Sequence, residues 1–404
     1  MQSISGGVCA AKGYTTNGVL CRIKPTRSTP DLALIVSETP ANAAAIYTQN
    51  LVQGAPITVT KSHLQNGKAQ AVIVNSGNAN TCNADGIAVA QRMCELVQEH
   101  VGIAGGDVIV ASTGVIGQPL PVQKIEAGMA ELVAGMGREN DKAAAAIMTT
   151  DTFPKQSAVE FTLPCGTLCR VGGMAKGSGM IHINMATMLA FITTDLAISS
   201  EMLQQTLKEC AEGTLNMVTV DGDTSTNDMC CVLANGMAGN AEITGEGAAL
   251  DAFRAALMTV LTELSRMLAR DGEGATKLLI CQVSGANTVQ DCRLAAKAVV
   301  ASSLVKAAMF GGDANWGREL CALGYSGADL DVTKIGVRFS SAAGDITVCE
   351  NGTGVPFCED VAAKILAEEE ITIHIAAGNS EHAATAYGCD LTYDYVKING
   401  DYRT

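Results

Sequence analysis

Short apolar runs separated by polar, turn-rich segments set the rhythm of the first third of the chain. Residues 32–36, 71–74 and 108–111 are such runs, each bounded by polar or glycine-containing turns, and they predict strands. Between the last two, Val89, Met93, Leu96 and Val97 recur at helical spacing. Val122, Ile125, Met129, Leu132 and Val133 repeat that spacing further on, and both stripes are core positions. Strands are predicted around 158–163 and 168–171. The segment 188–194 is apolar, partly β-branched, and reads as a buried strand. The clearest amphipathic helix carries Leu250, Phe253, Leu257, Val260, Leu264 and Met267, with Gly272 as its stop. Residues 293–309 are alanine-rich and read as one helix. Strands alternating with helices give the α/β class without giving the topology.

Composition narrows the class. Apolar residues make up 48% and charged residues 17% of 404, with 42 glycines, which describes a tightly packed globular chain able to bury a large core. The net charge of −14 is unevenly placed. Up to Ala186 there are 13 Lys+Arg against 12 Asp+Glu, and from Thr187 onward 14 against 29. An acidic chain without a basic patch is a poor binder of nucleic acid or anionic membrane. No run approaches about 18 apolar residues, and the amino terminus lacks a basic-then-apolar pattern, so neither a membrane span nor a signal peptide is predicted. The 15 cysteines are odd in number and scattered, apart from Cys165/Cys169 and Cys230/Cys231, and form no zinc pattern. They read as reduced, mostly buried thiols of a cytoplasmic protein.

Candidate chemistry lies in the polar segments that punctuate these elements. A loop-like, glycine-rich stretch at 172–179 surrounds Lys176 and leads into the hydroxyl residue Thr187 ahead of the strand at 188–194. Lys176 precedes Gly177 and Ser178, the wrong order for a phosphate-binding loop. NSGNAN at 75–80 reads as a turn whose amides satisfy the backbone, and STG at 112–114 as an ordinary strand-to-loop turn. TTDT at 149–152 fits capping and turn chemistry. The acidic run at 219–228 has part of a calcium-loop spacing. Thr226 stands where glycine is needed and Val232 where the closing glutamate is needed, so no metal site is assigned. Glu273, between two glycines, reads by default as a solvated loop carboxylate, and 397–404 as a fraying end.

The run KGSGMIHINMATML at 176–189 resembles the self-cleaving motif of the ornithine acetyltransferases, also called glutamate N-acetyltransferases, of arginine biosynthesis. STG, TTD, DGDTSTND, RDGEGATK and GGDANWGR match further motifs of that family along nearly the whole chain. The resemblance implies cleavage between Ala186 and Thr187. An α chain, 1–186, would carry the oxyanion and glycine-lysine loops. A β chain, 187–404, would begin with the nucleophile Thr187 and carry the substrate-binding Glu273 and carboxyl tail. It implies an oxyanion hole at Thr113 and Gly114, and substrate contacts at Thr150, Lys176, Thr187, Glu273, Asn399 and Thr404. It further implies a layered, sandwich-like α/β fold with Thr187 at the start of a central strand, and an α2β2 assembly. The expected reaction moves acetyl from N2-acetyl-L-ornithine to L-glutamate without a bound cofactor, with acetyl-CoA as a possible second donor. An amidase or aminopeptidase using an amino-terminal threonine would share Thr187 and the oxyanion loop, but would not need Glu273, Asn399 and Thr404 together.

Overall fold

A computed structural model describes residues 1–139, 141–182 and 188–401. Among them, nine strands form one sheet whose middle is Leu189–Thr194, paired antiparallel to Leu168–Lys176 and parallel to Met229–Ala234. Outward from these lie Lys155–Thr162 and Gln2–Ser3 on one side. On the other lie Leu32–Tyr47, Lys68–Asn78 and Val108–Val115, with Tyr14–Val19 paired to Leu32–Tyr47. The pleat sends alternate side chains of the central strand to opposite cores. Ala190 and Ile192 pack with Phe253, Leu257 and Leu264 of the helix Ala248–Arg270, while Leu189 and Phe191 join a core containing Tyr14 and Ile35. A third core lies under the helices Gly86–Val101 and Val122–Ala134. The predicted stripe of the first is buried, as are Ile125, Met129 and Leu132 of the second, with Val122 and Val133 partly buried at its edge.

A second sheet of six strands runs Thr353–Gly354, Gly344–Glu350, Gly336–Ser341, Glu370–Ala376, Leu278–Ser284 and Ala383–Cys389. Val299 and Val300 of the helix Val289–Ala301, and Ile365 and Leu366 of Glu359–Leu366, share its core. The helix Ala248–Arg270 belongs to the first core, and the segment following it leads directly into Leu278–Ser284 of the second sheet. No single helix among the described residues is long and apolar enough to cross a membrane. All fifteen cysteines are free thiols, most of them buried. Burial pushes Cys94 and Cys230 up to about 12.

Several elements depart from the sequence reading, each for a tertiary reason. The runs at 75–80 and 112–114 are not simple loops. The strands continue through them in parallel register, Asn75 beside Ser112 and Ser76 beside Thr113. Gly172 and Gly173 lie inside a strand rather than in a loop. Gly172 faces the backbone of Gly7 so closely that a Cβ would come within 1.9 Å of its carbonyl oxygen. The predicted helix at 293–309 is two helices, Val289–Ala301 and Ser303–Gly311, bent by 57° where Ser302 caps the second. The long helix ends at Arg270 with Asp271 at its cap and Gly272 directly after it, so the helix stops where the glycine was expected to stop it. The carboxyl end does not fray at its start: Tyr393–Asp401 is a helix, and Tyr393 stacks edge-on against Phe310 at 5.6 Å.

Candidate active site

The strand ends at 75–78 and 112–115 carry a network of side-chain amides that hold their backbones in place. Ser112 donates its hydroxyl to Asn75 Oδ1 at 2.5 Å, and Asn75 Nδ2 donates to the Asn78 carbonyl at 2.9 Å. Asn227 Nδ2 reaches across to donate to the carbonyls of Ala79 at 2.5 Å and Ser112 at 3.0 Å. Thr81 donates to Asn227 Oδ1 at 2.6 Å, which orients that amide. Gly114 sits at φ +133°, and a Cβ there would lie 2.4 Å from the carbonyl carbon of Gly77. Only glycine tolerates both the angle and the approach. The Thr113 hydroxyl makes no hydrogen bond with any described residue and lines a cavity together with Gly114. Fixed donors of this kind can stabilise a charge that develops on a carbonyl oxygen.

On the opposite wall, three segments converge on buried charge. Lys176, only 7% exposed, ends the strand Leu168–Lys176 and lines the cavity without a hydrogen bond from its ammonium to a described residue. Asp151 accepts from the Gly177 amide at 2.7 Å and from the Thr149 amide at 2.9 Å. Its side chain also pairs with Lys155 at 2.7 Å. Burial pushes the Asp151 carboxyl up, but the Lys176 and Lys155 charges outweigh it and hold the group well below the usual carboxylate range. Asp221 accepts from the amides of Met180 at 2.6 Å and Ile181 at 2.8 Å, which anchors the far end of the glycine segment.

Glu273 follows the long helix and is half-buried. Its carboxylate lies where a Cβ on Gly179 would stand, 2.3 Å away, so the glycine makes room for it. Asn399 Nδ2 donates to Glu273 Oε2 at 2.8 Å, so the carboxyl-terminal helix closes that wall of the cavity. Thr113, Gly114, Thr150, Lys176, Glu273 and Asn399 therefore all line one cavity of about 140 Å³. Met188, whose peptide bond joins it to Thr187, lines it as well, and its carbonyl accepts from the Met229 amide at 3.0 Å. Ala186, Thr187 and Thr404 lie outside the described residues. Sequence reasoning assigned no role to Lys155 or Asp271 and missed the clamp that Asn227 makes. The polar run at 219–228 resembles the family segment DGDTSTND, but nothing local marked which carbonyls its side chains would reach.

A family model described as the ArgJ family matches residues 15–404. The chain belongs to the ArgJ family. The arginine biosynthesis bifunctional protein ArgJ of Symbiobacterium thermophilum is 50% identical over 409 residues, covering 100% of both chains. The protein of the same name from Caldanaerobacter subterraneus subsp. tengcongensis is 48% identical over 406 residues, again across 100% of each. A crystal structure of an ArgJ protein from Bacillus halodurans, 42% identical, superposes with a TM-score of 0.51. It covers 54% of this chain and 100% of that one. Described residues of 112–114, 149–151, 176–189, 221–228 and 270–277, the segments that resemble motifs of the ornithine acetyltransferases, line this cavity.

Proposed function

We propose that this ArgJ-family protein transfers acetyl from N2-acetyl-L-ornithine to L-glutamate, through an acetyl ester on Thr187 formed after the chain cleaves itself before that residue. The observation that carries the reading is the meeting, at one cavity beside Met188, of an oxyanion-type pair, a buried cation and a carboxylate. Thr113 and Gly114 supply the pair, Lys176 the cation, and Glu273 the carboxylate. An N-acetylated diamino acid carries one anionic and one cationic end, and the last two groups complement those ends. Thr150 lines the wall between them. The Glu273–Asn399 contact favours this transferase over an amidase, which has no need of a carboxylate for a second amine.

A threonine hydroxyl holds its proton too tightly at neutral pH to attack by itself. Attack of the Thr187 hydroxyl on the Ala186 carbonyl turns the amide into an ester. Hydrolysis of that ester leaves an α chain, 1–186, and a β chain, 187–404, whose new α-amine has an ordinary pKa of about 7.7. That amine takes the hydroxyl proton as Thr187 Oγ1 attacks the acetyl carbonyl, and passes it to the departing amine of ornithine. Thr113 and Gly114 face the oxygen that becomes negative. Losing one such donor costs roughly 2.7–4 kcal/mol of barrier. The amine of glutamate then attacks the ester, giving N-acetylglutamate and regenerating Thr187. The lengths are consistent with cleavage. Residues 187–404 are 218 of 404, or 54%, the same share that the fully covered Bacillus halodurans chain spans.

We further infer assembly of two cleaved copies as α2β2 in the cytoplasm, and acetyl-CoA as a co-substrate for glutamate acetylation. Purified wild type should give two fragments and move acetyl from N-acetylornithine to glutamate rather than to water alone. Thr187→Ala should remain one chain of 41.6 kDa without transfer. Two fragments from that variant, or hydrolysis without glutamate acetylation in wild type, would sink the reading. Supplying acetyl-CoA in place of N-acetylornithine tests the second donor.

A further inference from the structure

Behind Lys176 on the cavity wall lie three more buried charges, Asp151, Lys155 and Asp271, that none of the substrate contacts explains. Lys155 is fully buried and does not line the cavity. Its ammonium lies 2.7 Å from Asp151 and 2.5 Å from Asp271, whose side chains are 0% and 2% exposed. Asp271 also accepts from the Thr152 amide at 3.0 Å and from the Thr152 hydroxyl. With Lys176 beyond Asp151, the row alternates in sign, Lys176, Asp151, Lys155, Asp271, and sums to zero.

The four members come from three parts of the chain. Lys155 opens the strand Lys155–Thr162. Asp151 follows Thr150 directly and holds the amide of Gly177, the residue after Lys176. Asp271 caps the helix Ala248–Arg270, two residues before Glu273. The Ser178 hydroxyl donates to the Asp271 carbonyl at 2.7 Å, and the Glu273 amide donates to the Ser178 carbonyl at 3.1 Å, so the two walls are also stitched by backbone. We propose that Lys155 is a positioning residue whose two ion pairs lock the segments bearing Thr150, Lys176 and Glu273 into one geometry. Resting on the acetyl-transfer reading, this places a determinant of substrate alignment at a side chain that touches no substrate. The physical reason is the low dielectric at the row. Neither carboxylate can leave its partner for water, so separation of the three segments is strongly disfavoured. A displacement of about 1 Å between binding groups is enough to cost roughly 100-fold in rate.

The test is Lys155→Met, which keeps an unbranched apolar stem and removes the charge, measured on the purified, full-length protein. We expect self-cleavage to reach completion while kcat/KM for N-acetylornithine falls about 100-fold, with KM raised as well as kcat lowered. The amides of Gly177 and Thr149 should exchange hydrogen faster, with the central strand Leu189–Thr194 unchanged. With the lysine gone, Asp151 keeps only Lys176 as a cation and faces Asp271. An acid limb in the pH profile of kcat/KM should therefore move upward. Wild-type kinetics and unchanged exchange at those amides would overturn the proposal, as would parallel loss of cleavage, transfer and core protection. If Lys155→Met does not accumulate, Asp271→Asn leaves the Lys155–Asp151 pair intact. It should cost about tenfold, expressed in KM, with Gly177 still protected; no change in KM would overturn the pin. Failure of wild type itself to transfer acetyl would instead defeat the function reading, and amide exchange would still decide the role of Lys155.

Discussion

The two sheets bury carboxylates in opposite ways. Beside the first, Asp151 and Asp271 are enclosed with Lys155 between them and accept backbone amides besides. In the core of the second, Glu319 on the helix Trp316–Gly324 is fully buried, and neither of its oxygens has a hydrogen-bond partner among the described residues. Burial pushes both Asp151 and Glu319 toward the neutral acid. Cations outweigh it for Asp151, whereas Glu319 keeps its proton up to about 8. Burial by itself therefore does not mark a functional carboxylate. What distinguishes the cavity wall is that its charges are matched and that their partners lie on the segments which line the cavity.

The largest effect should come from breaking that match. Asp151→Asn leaves two lysines at the row against Asp271 alone, and removing one partner of a buried pair typically costs 3–5 kcal/mol. Urea unfolding should show a loss on the order of 3 kcal/mol. A loss below about 1 kcal/mol would mean that the pair breaks even against solvent and that the contrast with Glu319 is empty.

Glu319→Met should act in the other direction. It removes an unsatisfied buried carboxyl at little change in volume, so a gain on the order of 1–3 kcal/mol is expected near pH 8. The pH dependence follows from the raised pKa. Below about 4.5 the wild-type carboxyl is neutral folded and unfolded alike, so its ionisation takes nothing from stability there and only the smaller cost of burying an unsatisfied neutral carboxyl remains. As pH rises towards about 8, the unfolded chain ionises while the folded chain keeps its proton, and wild-type stability is progressively lost. The advantage of the variant should therefore grow from pH 4.5 to 8, and a gain independent of pH would show that Glu319 has a partner in solution.

Glu273, half-buried at the cavity mouth, is the intermediate case. Glu273→Gln should alter stability by no more than about 0.5 kcal/mol. It should lower kcat/KM for N-acetylornithine roughly 10–100-fold, the loss of one charge-assisted contact of about 1.5–3 kcal/mol. Self-cleavage should be untouched. Equal losses in cleavage and transfer would make Glu273 a structural residue and remove the functional half of the contrast.

Much of this was legible without coordinates. The stripe at 89–97 and the centre of the stripe at 122–133 are buried in one core, and the apolar run ahead of Asp195 is the central strand of the larger sheet. Thr113, Gly114, Thr150, Lys176, Glu273 and Asn399 could be singled out from family motifs, and they line one cavity. Local pattern misled where polar residues continue a strand. The runs at 75–78 and 112–115 look like turns because they are rich in hydrogen-bonding side chains, and the Asn75–Asn78 bond is indeed local. Yet Ser112 donates to Asn75 on the neighbouring strand, Ser76 to the distant Ala146 carbonyl, and Asn227 reaches the Ser112 carbonyl from far away in sequence.

Hydrophobic period by itself determined the apolar strands and the amphipathic helices, because burial of a face repeats every second or every third to fourth residue and is written locally. Glycine placement did not, since Gly172 and Gly173 lie inside a strand. Charge pairing was decided only by the tertiary structure. Asp151 and Lys155 lie four residues apart but on no common helix, so their spacing gave no reason to pair them. Asp271 lies 116 residues from Lys155, and no local preference records which distant cation will neutralise a buried carboxylate. Glu319 shows the converse. Nothing in its neighbourhood of sequence foretells that folding leaves it enclosed with its oxygens unmatched, since that depends on what the second sheet happens to bring against it.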